Sequence, residues 1–170
     1  RQPSLNYRGF QAAPLLGLSQ GVAVYMDGIR MNDLFGDVMY WEMLPVNGLK
    51  KIELTAGSNP VFGLNTLGGA IQFHTKSGFD TGQSQVTVQG GSYGQKSLDL
   101  ELGLQKGKWG YFISGNLFEE NGWRDFSPSS SGRMLWKVSR QTAKGRSHLT
   151  FHYAKSNFLG NGAVPTELLQ

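Results

Sequence analysis

The chain contains no cysteine. That excludes disulfides, zinc–thiolate centres and cysteine nucleophiles. It contains no run of 18 or more apolar residues, so no membrane-spanning helix is encoded. Charged residues make up only 16% of it, sparse for a soluble globule. The formal net charge of +4 comes from scattered Lys and Arg (Lys50-Lys51, Lys106, Lys108, Arg140, Lys144, Arg146). There is no dense basic stripe, so no nucleic-acid partner is expected. No signal-peptide pattern opens the chain. It starts at Arg1 without Met and reads as an internal fragment of a longer protein.

Catalytic constellations are also missing. The three histidines are His74, His148 and His152. In a strand, His148 and His152 share a face but stand about 13 Å apart, too far for one metal. Asp99 and Glu101 resemble a hydrolytic carboxylate pair. Their spacing fits the polar face of a strand better. Ser127 to Ser131 lacks nucleophile-elbow spacing. The glycines from Gly63 to Gly69 are not followed by the Lys-Ser or Lys-Thr of a phosphate loop. Neither an enzyme nor a cofactor is expected, and no metal site.

What is present is glycine, 24 residues of it, and short β-prone segments. From Gly21 to Lys76 the chain reads GVAVYMDGIRMND, WEMLP and KKIELTAGSNPVFGLNTLGGAIQFHTK. Val22–Met26 and Ile29–Met31 flank Asp27-Gly28, a two-residue hairpin signal. Lys51–Leu54 is another strand, broken by Gly57-Ser58-Asn59-Pro60. Gly63, Gly68 and Gly69 require tight backbone before Ala70–Thr75 extends again. A small mixed sheet containing these segments is expected.

The order of these pieces resembles the plug domain of TonB-dependent outer-membrane receptors. The matching residues are Arg8-Gly9-Phe10, Tyr25-Met26-Asp27-Gly28, Trp41 with Leu44-Pro45, and Ile52-Glu53-Leu54. After Gly57 come Val61-Phe62-Gly63, Leu67-Gly68-Gly69-Ala70-Ile71 and Thr75-Lys76. One departure stands out. Where relatives carry an Arg before the glycine that follows the Ile-Glu-x strand, this chain has Ala56. The resemblance implies that such arginines tie the plug to acidic barrel residues, which leaves Arg8 for that role. The plug–barrel contact is then weaker or differently built.

From Thr81 onward the pattern becomes period two. Val86 and Val88 alternate with polar residues. Leu98, Leu100, Leu102 and Leu104 oppose Ser97, Asp99, Glu101 and Gly103. Trp109, Tyr111, Ile113 and Leu117 share a face, while Phe112 and Phe118 interrupt the polarity of the other. Met134, Trp136 and Val138 share a fourth face. Leu149, Phe151 and Tyr153 share a fifth, opposite His148, Thr150 and His152. Connections at Lys106–Lys108 and Ala143–Arg146 are short, and that from Asn121 to Gly132 is long. Spanning barrels have apolar-out strands, short periplasmic turns and longer outer loops. A soluble β-sandwich shows the same alternation. The plug-like segment upstream favours the barrel.

The expected fold class is therefore mainly β. The C-terminal part of a small mixed plug domain, residues 1–79, precedes the first antiparallel strands of an incomplete transmembrane barrel, residues 80–170. The resemblance implies a receptor in the outer membrane of a Gram-negative bacterium that imports a scarce nutrient. A ferric siderophore is the usual cargo. Its partners would be outer-membrane lipid and the TonB inner-membrane complex, acting through a box outside this chain. The plug segments Gln11–Gln20 and Met31–Trp41 would face the cargo, with Gln11, Asp33, Phe35 and Tyr40 as contact candidates. The alternative is a soluble β-rich binding module, for instance one for carbohydrate.

Overall fold

The computed structural model describes residues 4–15, 20–80, 84–124 and 127–159. Strands β1 (Leu5–Tyr7) and β2 (Phe10–Ala12) form an antiparallel hairpin. Its turn is Arg8-Gly9, with φ of 51° and 82°. Sequence reading took Arg8-Gly9-Phe10 only as a family signature; these two left-handed residues are also what turns the chain. Strands β3 (Val22–Met26) and β4 (Ile29–Arg30) repeat the device around Asp27-Gly28, at φ 49° and 85°. The expected hairpin is present, with β4 ending one residue earlier, at Arg30.

Strands β5 (Leu49–Ala56) and β6 (Gly69–Thr75) complete a mixed sheet in the order β4-β3-β6-β5. The β3–β6 pair is parallel and the β5–β6 pair antiparallel. Gly69 has φ +141°, and a Cβ there would sit 2.3 Å from the Thr55 carbonyl oxygen. The second glycine of the Gly-Gly motif is thus required by backbone contact, not by a turn. Gly69→Val should cost on the order of 3 kcal/mol, because both the clash and the dihedral oppose it. A thermal melt that matched the parent protein would exclude this account.

One side of the sheet buries the core. Val22, Val24, Met26, Ile71 and Phe73 pack with Ala12, Met39 and Leu44. Trp41 closes it edge-on to Phe73, with ring centroids 6.2 Å apart, and its indole N–H donates to the Ala12 carbonyl at 2.8 Å. Buried Asn32 replaces missing sheet partners. Its Oδ1 accepts from Val24 N–H at 2.7 Å, and its Nδ2 donates to the Val22 carbonyl at 3.3 Å.

The second half forms one five-stranded antiparallel meander. Its strands are β7 (Gln85–Gly90), β8 (Lys96–Lys106), β9 (Trp109–Glu120), β10 (Ser129–Thr142) and β11 (Gly145–Phe158). The paired registers run unbroken: Lys106 faces Trp109, Glu120 faces Ser129 and Thr142 faces Gly145. The long connection is shorter than expected. Ser129–Gly132 pairs with Leu117–Glu120, so the link is Asn121–Pro128. The Ser-rich run belongs to the strand because small side chains fit its inner face. The short turns also tighten, to Gly107-Lys108 and Ala143-Lys144.

Alternation sorts the faces. Leu98, Leu102, Trp109, Tyr111, Ile113, Leu117, Met134, Trp136, Leu149, Phe151 and Tyr153 are exposed on the outer face. On the inner face Phe112, Ser114, Leu135, Lys137 and Ser139 are buried. No helix among the described residues is long and apolar enough to cross a membrane.

Candidate functional site

The inner face of the meander receives the mixed sheet through polar contacts from three strands. The most buried centres on Lys137 of β10, whose side chain is 7% exposed. Its Nζ donates to Asp27 Oδ2 at 2.8 Å and to Thr75 Oγ1 at 2.8 Å. Thr75 in turn donates its backbone N–H to Asp27 Oδ1 at 3.0 Å and its hydroxyl to Oδ2 at 2.5 Å. The β3–β4 turn and the last residue of β6 are thus pinned to a strand 110 and 62 residues further along the chain.

Other contacts flank this one. Lys76 reaches both oxygens of Glu101 on β8 at 2.7 Å. Asn47 Nδ2 donates to the Gly115 carbonyl at 2.8 Å. Arg133 donates through Nε to the Glu42 carbonyl and through a terminal nitrogen to Asn116 Oδ1 at 3.2 Å. Asn116 donates to Asp99 Oδ1 at 2.7 Å. Asp99 and Glu101 therefore line the inner face, opposite Leu100, as alternation requires. Backbone approaches just as closely: a Cβ at Gly78 would lie 2.2 Å from the Tyr111 nitrogen.

Burial pushes the Asp27 carboxyl up, but hydrogen bonds from Lys137 and Thr75 and the Lys137 charge together hold it below its ordinary value of 3.8. A carboxylate with a lowered native value stabilises the fold fully above the ordinary value. That contribution is lost as pH falls below 3.8 and through the native value. The two sheets should therefore stay locked from pH 8 down to 5 and loosen only below about 4. Protease sensitivity of the Asp27 turn against pH measures this. Loosening between pH 7 and 5 would assign the lock to another group.

The opposite end of the mixed sheet carries the loops. Gly69 pairs with both Val22 and Ala56, so the segments before β3 and between β5 and β6 leave from one end. Asn32, bonded to Val22 and Val24, brings residues 33–40 to that same end. Arg30 donates from one terminal nitrogen, Nη2, to both Asp37 carboxylate oxygens at 2.8 and 3.0 Å, and Asn65 also donates to Asp37, tying two loops together. Met39 N–H donates to the Ala13 carbonyl at 3.0 Å, which brings in the third. Asp27, Thr75 and the two-residue turns of the meander lie at the other end.

The sequence candidates fall as follows. Asp33 accepts from Phe35 N–H at 2.7 Å and shapes the loop tip, where Phe35 stands 78% exposed. Tyr40 is exposed beside the same loop. Gln11 is half-buried in β2, bridged to Gln20. Residues 16–19 of the first cargo segment lie outside the described residues. Arg8 is exposed at its hairpin tip with its guanidinium 5.3 Å from the Tyr7 ring centre. Among the described residues, the charged contacts between the first half and the meander include Asp27–Lys137, Lys76–Glu101 and Arg133 with the Glu42 carbonyl. Asp27 and Gly28 turn the hairpin, and Gly57 and Gly63 take positive φ at loop ends. Glu53 meets His74 Nε2 at 2.6 Å, and Gly68 N–H donates to the Gly21 carbonyl at 2.9 Å. No cluster of metal-ligating side chains occurs among the described residues.

This architecture has a counterpart in sequence. Residues 1–70 match the family model described as TonB-dependent Receptor Plug Domain. The match covers less than half of the chain. The chain is also similar in fold to a solved structure, the FrpB iron transporter from Neisseria meningitidis (F5-1 variant, apoprotein form). The TM-score is 0.58 at 14% identity, over 84% of this chain and 25% of that one. The chain thus spans about a quarter of that transporter's length. No curated protein sequence matches it. The fold is mainly β, a small mixed sheet followed by an unclosed five-stranded antiparallel sheet.

The most buried contact between the two sheets has a signal in the sequence. Counting parity from Trp136 and Val138 puts Lys137 on the inner face, a lone cation between Leu135 and Ser139. A buried lysine needs a carboxylate partner. Asp27 at the β3–β4 turn is that partner.

Proposed function

We propose that the chain is part of a TonB-dependent outer-membrane receptor that imports a scarce nutrient, with a ferric siderophore as cargo. In this reading residues 1–79 are the C-terminal portion of the plug, and residues 80–170 begin the barrel wall. The observation that carries it is the Lys137–Asp27–Thr75 contact. It joins a family-matched plug sheet to the inner face of strands whose outer face is a continuous apolar wall. A soluble binding module would bury that wall.

In mechanism the plug closes the barrel lumen, held by ion pairs that are local and reversible. Cargo would meet the loop end through Gln11, Asp33, Phe35 and Tyr40. Arg8, exposed on its hairpin, is available to acidic residues of further strands. Force from the TonB inner-membrane complex would be applied through a box outside this chain. Release then requires breaking the Asp27, Lys76 and Arg133 contacts, each with a polar replacement nearby in water. The fold neighbour is an iron transporter, which supports this cargo class.

The test is uptake of a labelled ferric siderophore by cells carrying the complete receptor, with and without TonB. TonB-dependent uptake that a Phe35→Ala, Tyr40→Ala variant reduces at least about tenfold is expected, as for loss of aromatic hot spots. Uptake of cobalamin or an oligosaccharide in place of siderophores would keep the receptor and change the cargo.

A further inference from the structure

Residues Ser77–Asp80, between the two sheets, close on themselves. Asp80 N–H donates to the Ser77 carbonyl at 2.9 Å. Asp80 Oδ2 accepts from the Ser77 backbone N–H at 3.0 Å and from its hydroxyl at 2.6 Å. This turn is pressed into the inner face of the meander. A Cβ at Gly78 would collide with the Tyr111 nitrogen and the Leu104 carbonyl oxygen, so its backbone lies on the paired backbone of β8 and β9. Register makes a seat beside it. Across the inner face one row reads Gln105, Gly110, Ser139 and His148. Gly110 supplies no side chain there, and a Cβ built on it would lie 2.9 Å from Phe79 Cδ2. The Phe79 ring fills that gap. From β11 the Arg146 guanidinium covers the ring, 4.9 Å from its centre, and donates to Gln141 Oε1 at 2.9 Å.

We infer that Ser77–Asp80 is a fixed anchor that stays seated on the wall during transport, so that the moving part of the plug ends at Lys76. Two observations separate the anchor from the other contacts. Asp27, Asn47, Thr75 and Lys76 meet the meander through polar side chains, whose hydrogen bonds water can replace. The anchor is backbone on backbone, with a ring in a fitted gap under a cation, and water replaces neither. The polar contacts also all precede Ser77 in the chain, so a pull from the N-terminal side loads them first. Lys50 of β5 reaches Asp80 Oδ1 at 2.6 Å, but its side chain is largely exposed and such a pair gives way easily. The inference rests on the receptor reading proposed above.

The test ties down each part in turn in the complete receptor and follows TonB-dependent uptake of a labelled ferric siderophore. Gly48→Cys with Ser114→Cys fastens the plug body by a disulfide. A Cβ at Gly48 would lie 3.5 Å from the Ser114 Cβ, within disulfide range. Phe79→Cys with Gly110→Cys fastens the anchor through a short, reductant-cleavable bifunctional thiol reagent. Fastening the plug body should abolish uptake until reductant is added. Fastening the anchor should leave uptake as in its reduced form. Uptake lost on fastening the anchor overturns the inference, because the linker must then move. A second measurement uses a Ser77→Cys variant and a hydrophilic maleimide. Its labelling should be slow with TonB active or inactive. Adding Phe79→Ala should speed the labelling about tenfold with TonB active and leave it unchanged without TonB. A Phe79 that served folding alone would change both alike. Labelling that rises with TonB while Phe79 is intact also overturns the inference. Siderophore uptake by the reduced forms without TonB would instead overturn the receptor reading.

Discussion

Lys137→Met should release the plug. The substitution leaves Asp27 buried against β10 with its ion partner gone, and removing one partner of a buried pair costs about 3–5 kcal/mol. Thr75 still donates to the carboxylate from its backbone and hydroxyl, so the loss falls on the contact between sheets rather than on the hairpin turn. In the complete receptor the expected readouts are faster protease cleavage at the plug and a rise in pore conductance. Adding Asp27→Asn to Lys137→Met should recover part of the loss, because the uncompensated charge is then gone. A non-additive double mutant is the signature of direct coupling. If the double variant were worse than both singles by their sum, the two residues would act independently and the lock would lie elsewhere.

The chain expressed alone should fail to behave as a soluble monomer. Five strands are too few to close a spanning barrel, for which about eight is the minimum. The outer strands β7 and β11 leave unpaired N–H and C=O groups, a template for association. The outer face also exposes Leu102, Leu104, Trp109, Trp136, Leu149 and Phe151 together. A contiguous apolar patch of this kind drives aggregation in water. Expression should give inclusion bodies or detergent-dependent material. Size-exclusion chromatography showing a monodisperse monomer with cooperative unfolding would favour the soluble-module reading.

Local rules made much of the fold legible. Asp27-Gly28 forces a left-handed two-residue turn, and the Leu98–Leu104 alternation sets a strand face wherever that face is buried or greasy. Both outcomes depend on residues within a few positions of each other. The β1–β2 hairpin was missed although Arg8-Gly9 obeys the same turn chemistry, because Arg is an uncommon first residue for it. The Ser129–Gly132 segment has the composition of a link but belongs to β10. Serine and glycine signal loops, yet here they pair along β9 and fit the crowded inner face.

The site was less legible because its contacts are distant in sequence. Asp27 and Lys137 are brought together only by the sheet topology. Asp99 and Glu101 were correctly assigned to the inner face, but nothing local names Lys76 as the partner of Glu101. Ala56 has no bearing on the observed contacts, which run through Asp27–Lys137, Lys76–Glu101 and Arg133 with the Glu42 carbonyl. The convergence of three loops at one end follows from the parallel β3–β6 pairing, which no hydrophobic pattern specifies.

The central claim is that the outer face of β8–β11 meets lipid while the inner face meets the plug. The chain's lack of cysteine makes a direct measurement possible. Single cysteines at Leu102, Val138 and Phe151, and at Ser114 and Ser139, are labelled with a small fluorophore in the complete receptor. The receptor is then reconstituted into vesicles containing brominated lipid. The account predicts strong quenching at positions 102, 138 and 151 and little at 114 and 139. Quenching at the serine positions, or equal quenching at all five, would contradict it.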